Sequence, residues 1–102
     1  MGAPDAAETQ ASVAAELGRV ARRWQQLPLD RALAASGGVL ALVQDLADEV
    51  AARDGLQLEP VPDLGPAVLI DQLRVMVFDH QRAGLDPATL ASRLATLRQS
   101  IC

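Results

Sequence analysis

His80 is the only histidine in the chain. Together with the carboxylates Asp45, Asp48 and Glu49 and the serines Ser12, Ser36, Ser92 and Ser100, it is the material from which any catalytic site would have to be built. Nucleophilic catalysis needs a base held against a serine or cysteine, and no motif sets His80 beside any of these residues. Asp45 and Glu49 fall one helical turn apart on one face, a spacing that would suit a hydrolytic pair or a hard cation. One helix supplies too few ligands, however, and no second carboxylate pair with a helically spaced histidine completes a two-metal site. A solvated face, with Arg53 four residues after Glu49, is the expectation. Gly37-Gly38 lacks the spaced glycines and the lysine of a phosphate-binding loop, so a hinge or a close helix contact is expected there. No catalytic, cofactor-binding or metal-binding residue is assigned, and the chain is not expected to be an enzyme.

Helical arithmetic places His80 on the main apolar face of its helix, near the C-terminal end. The run Asp79-His80-Gln81-Arg82-Ala83-Gly84 resembles the acceptor segment of histidine phosphotransfer domains, with Gly84 at the family's distance and the basic residue displaced by one. That resemblance implies a small phosphotransfer regulator using His80. Against it, Gly84 followed by Leu85-Asp86-Pro87 reads as a helix end, whereas a phospho-acceptor projects from mid-helix. The expectation is a structural histidine at the rim of the core, capping carbonyls where a helix C-terminus favours positive charge. The segment from Ala83 to Leu94 is similar to the opening of a helix-turn-helix, but no recognition helix follows Leu94.

The chain has 102 residues, one Phe, one Trp, no Tyr and 50% apolar content carried largely by Ala and Leu, which points to one all-α domain. All nine basic residues are Arg, a bias typical of GC-rich bacterial genomes. A net charge of −4 argues against nucleic acid as a partner. The densest basic cluster, Arg19, Arg22 and Arg23, sits beside Glu16 as a solvated face. Cys102 alone cannot form an internal disulfide, and no apolar run approaches the roughly 20 residues of a membrane span. The N-terminus lacks the basic and apolar regions of a signal peptide, so a cytoplasmic protein without membrane association is expected.

Four apolar stripes at helical spacing organise the chain. Val13, Leu17, Val20, Trp24 and Leu27 alternate in steps of four and three along one narrow seam, which Pro28 ends. Asp30 is the expected N-cap of a short turn through Ala35, interrupted by Ser36-Gly37-Gly38. A broad apolar helix follows from Val39 to about Arg53, with Gly55 as its terminator. Leu56 to Leu64, with Pro60 and Pro62, should be an extended connector long enough to join the flanking helices in either antiparallel or parallel order.

The third helix, about Ala67 to Ala83, carries two apolar faces: Leu69, Ile70, Leu73, Met76 and Val77 on one side, Val68, Val75 and Phe78 on the other. Asp86-Pro87 opens a fourth helix with the narrow stripe Leu90, Leu94, Leu97 and Ile101. The expected fold is therefore an all-α small helical bundle of about four main helices, with the middle two central and an extended proline-containing connector between them. Residues 11–102 form its single domain, after a disordered segment 1–10.

The surplus apolar surface on the middle helices points to association: a non-catalytic helical interaction module, self-associating as a homodimer or masking a protein partner. Trp24, Leu27, Leu29, Val68, Val75 and Phe78 are the expected contact residues, since large side chains dominate interface energetics.

Overall fold

The computed structural model describes residues 6–101, which form four α-helices and no strand: α1 (Ala6–Gln26), α2 (Leu29–Arg53), α3 (Pro66–Arg82) and α4 (Pro87–Ser100). The all-α, four-helix class read from composition and periodicity is the class the chain adopts. Of the N-terminal segment 1–10, residues 6–10 form the first turns of α1 and the remainder lies outside the described residues. Contacts group the helices into two compact units, one containing α1 and α4, the other spanning Leu27–Leu85 with α2 and α3.

In the α1/α4 unit the two narrow stripes do what their spacing dictates. Val13, Val20, Ala21 and Trp24 of α1 are buried, as are Leu90, Leu94 and Leu97 of α4 and Ile101 just beyond it. Leu17 is half-buried. Asp86 caps α4 by accepting from the Ala88 N–H at 3.1 Å, with Pro87 in the first turn, where its missing donor costs nothing. An ion pair ties the helices together: Arg98 Nε donates to Glu16 Oε2 at 2.9 Å, and Arg19 donates to Oε1 of the same carboxylate at 2.8 Å. The hydrogen bond from Arg98, with the charge of both arginines, holds the Glu16 carboxyl below its ordinary value despite the opposing effect of burial.

The α2/α3 unit departs from expectation in its first helix. Pro28 ends α1 and, with φ −58° and ψ 150°, occupies the N-cap position of α2, so α2 starts at Leu29 and Asp30 falls in its first turn instead of capping it. There its carboxylate still favours the helix N-terminus. Nor does Ser36-Gly37-Gly38 interrupt the chain, and α2 runs unbroken for 25 residues. Two glycines cost a helix about 1 kcal/mol each, a penalty that burial of Ala32, Val39, Val43 and Leu46 on one side outweighs. Ser36 donates its hydroxyl to the Ala32 carbonyl at 2.7 Å, and a Cβ at either glycine would meet no atom within 4 Å. The glycines therefore serve neither as a hinge nor as a close helix contact.

α2 and α3 both end in Schellman motifs. At α2 the N–H of Gly55 reaches the Ala52 carbonyl and that of Leu56 reaches Ala51; at α3, Gly84 reaches Gln81 and Leu85 reaches His80. Each motif needs a left-handed residue, and Gly55 at φ 69° and Gly84 at φ 76° provide it.

The connector question, left open by the sequence, resolves as a parallel arrangement. Glu49 and Val50 near the end of α2 lie beside His80 and Asp79 near the end of α3, while Val43 lies beside Val68 and Val75. The extended connector crosses back and is held by two glutamines. Gln44 donates from Nε2 to the Glu59 carbonyl at 3.0 Å and accepts the Val61 N–H at 2.7 Å, and Gln72 donates to the Pro62 carbonyl at 2.9 Å.

Candidate interaction surface

The inner face of α3, Leu69, Ile70, Leu73, Val77 and His80, is buried, with Met76 half-buried at its edge. Its opposite face is left exposed within the α2/α3 unit. Val68 is 39% exposed, Val75 55% and Phe78 62%. Helical geometry lines these three up with Asp71 and Arg82, so that positions 68, 71, 75, 78 and 82 advance in alternating steps of three and four and form one straight seam. Asp71 and Arg82 are exposed too, and Asp71 pairs with Arg74 one turn along at 3.2 Å. Beside the seam runs an open groove of about 290 Å³, with an apolar lining to which Val43, Val61, Val68, Val75 and Met76 contribute.

Of the six residues expected to make contacts, Val68, Val75 and Phe78 share this face. Leu29 is also exposed, at the start of α2, and Leu27 is half-buried. Trp24 is buried in the α1 seam, where it follows Val20 by four residues. Four further exposed side chains belong to the same α2/α3 unit: Leu33 on α2 and Leu56, Leu58 and Leu64 in the connector. For Leu33 the signal was present in the sequence, since it follows Leu29 by one turn of α2.

His80 lies deeper than the rim position expected for it. Its ring is 2% exposed, Nε2 meets Glu49 Oε1 at 3.1 Å across the α2/α3 contact, and buried Nδ1 has no hydrogen-bond partner. Its partner is thus a carboxylate on the neighbouring helix and not the end carbonyls of its own. The other acids disperse. Asp48 accepts from Gln44 Nε2 at 2.8 Å, and Asp45 points to solvent. Among the described residues no group of three or more His, Cys, Asp or Glu side chains gathers in a way that could hold a metal ion. No helix among them is long and apolar enough to cross a membrane.

Comparison of the chain with protein-family models, with curated proteins and with solved structures finds no match in any of the three, so the surface itself carries the functional argument.

Proposed function

We propose that this chain is a non-catalytic helical protein–protein interaction module that self-associates as a homodimer through the outer face of α3. One observation carries the reading: Phe78, Val75 and Val68 stand exposed along a single helix seam, bordered by an apolar groove. At about 25 cal/mol per Å² of apolar surface removed from water, a few such side chains can drive association, although ordering and immobilisation costs consume part of the gain. An isolated exposed leucine is ordinary on a soluble protein; an aligned series on one face marks a contact site. A phospho-acceptor must be reachable by its donor, and the buried His80 ring, whose Nε2 faces Glu49, does not suit that role. A cytoplasmic location goes with the reading, supported by the single cysteine.

Light scattering at micromolar concentration tests the proposal. The expected mass is near twice the 10.8 kDa of one chain, and Phe78→Asp should return it to one. A wild-type chain that stays monomeric as concentration rises would remove the homodimer.

A further inference from the structure

The geometry points to a defined partner and register for this face: a second copy of the chain packs its α3 antiparallel against the first, about a two-fold axis passing between Met76 and Val77. The inference rests on the self-association proposed above and goes further by fixing which residues meet. Along the seam, one acid and one base flank two apolar residues in the order Asp71, Val75, Phe78, Arg82. Turning the helix over about that axis carries Val75 onto the partner's Phe78 and Asp71 onto the partner's Arg82. All four contacts of the repeated motif become complementary at once, two apolar and two oppositely charged.

Other arrangements of the same seam lack this property. Parallel, in-register pairing would set Asp71 against its own copy and Arg82 against its own, placing like charges face to face at both ends. Sliding the antiparallel pair by one heptad in one direction puts Asp71 against the partner's Val75, and in the other direction puts Arg82 against the partner's Phe78. Each slip leaves a charge facing an apolar side chain instead of its counter-ion. A seam that matches itself in a single register fits a second copy of this chain better than an unrelated protein. The existing Asp71–Arg74 pair offers little resistance, because both of its side chains are solvent-exposed and such pairs contribute little.

Charge reversal in the 102-residue chain tests the register, with sedimentation as the readout and circular dichroism to confirm that helix content is kept. Asp71→Arg and Arg82→Asp should each weaken the homodimer by roughly tenfold or more, because each sets like charges together twice across the two-fold axis. Mixing the two variants should restore association to near the wild-type level as a heterodimer, which native mass spectrometry of a mass-tagged pair would identify. The double variant should recover as a homodimer. Wild-type affinity in both single variants, or failure of the mixture to recover, would overturn the register. If Phe78→Asp still dissociated the protein in that case, the self-association reading would stand without it. A monomeric wild type would remove both.

Discussion

The α1/α4 pair and the α2/α3 pair each bury a seam of valine and leucine, yet every large apolar side chain left exposed among the described residues, from Leu29 to Phe78, belongs to the second pair. The difference follows from stripe width. α1 and α4 each carry one seam advancing in steps of three and four, and one helix neighbour covers a seam of that kind. α3 carries an inner seam around Leu73 and an outer one around Val75, and α2 adds Leu29 and Leu33 outside its buried row. A helix with two seams needs two neighbours. Which helices can finish their burial inside one chain is therefore decided by how apolar residues are distributed around each axis, and total hydrophobicity matters less.

The sharpest way to break this comparison is to truncate one apolar side chain of the covered seam in the first pair and one of the outer seam in the second. Leu94 is fully buried in the first pair, so Leu94→Ala should cost about 2–5 kcal/mol in urea unfolding, combining lost transfer energy with a cavity. Val75 is 55% exposed in the second pair, and Val75→Ala should shift unfolding of the dilute monomer by less than about 0.5 kcal/mol. Equal costs for the two variants would mean that the monomer already covers the outer seam, and the distinction between the pairs would vanish.

A smaller effect is expected where the second pair holds its own connector. Gln44 gives that segment two hydrogen bonds, one of them received from the half-buried Val61 N–H, which Gln44→Ala would leave without its acceptor. The expected cost is about 1–2 kcal/mol, with faster amide exchange at Val61 and unchanged exchange at Leu94. Unaltered protection at Val61 would show that the connector is held by its prolines and packing alone.

Much of this architecture was legible in the residues, and the parts that were not share a cause. Asp86-Pro87, Gly55 and Gly84 mark helix ends through local backbone chemistry, and the alternating stripes of α1 and α4 state which side each helix buries. The double face of α3 was equally visible, including Val68, Val75 and Phe78. Ser36-Gly37-Gly38 misled because glycine only taxes a helix, and the sum is settled by the packing of Ala32 and Val39 on either side. Gln44 and Gln72 carry no pattern that distinguishes them from surface glutamines, since their partners are backbone groups of a distant segment. The same holds for His80 and Glu49, which are 31 residues apart and meet only because α2 and α3 run parallel. Trp24 could have served either a core or an interface, and only its neighbours could show that it is buried.

The subtlest contrast between the pairs is electrostatic, and it should be readable from pH. In the folded chain the Arg98 hydrogen bond and the neighbouring positive charges keep Glu16 below its ordinary value of 4.5. A depressed carboxyl stabilises the fold above the pKa of the unfolded chain, and that contribution disappears as pH falls through the lower, folded-state pKa. Arg98→Gln should therefore lower stability near neutral pH by about 0.2–1 kcal/mol, the range for a solvent-accessible ion pair. The gap between variant and wild type should narrow as the solution is acidified past the folded pKa, because protonated Glu16 no longer rewards a guanidinium beside it. Added salt should narrow the gap at neutral pH as well, by screening the same charges. A difference that stayed constant through both titrations would assign Arg98 a packing role and leave the first pair held by its leucine and valine seam alone.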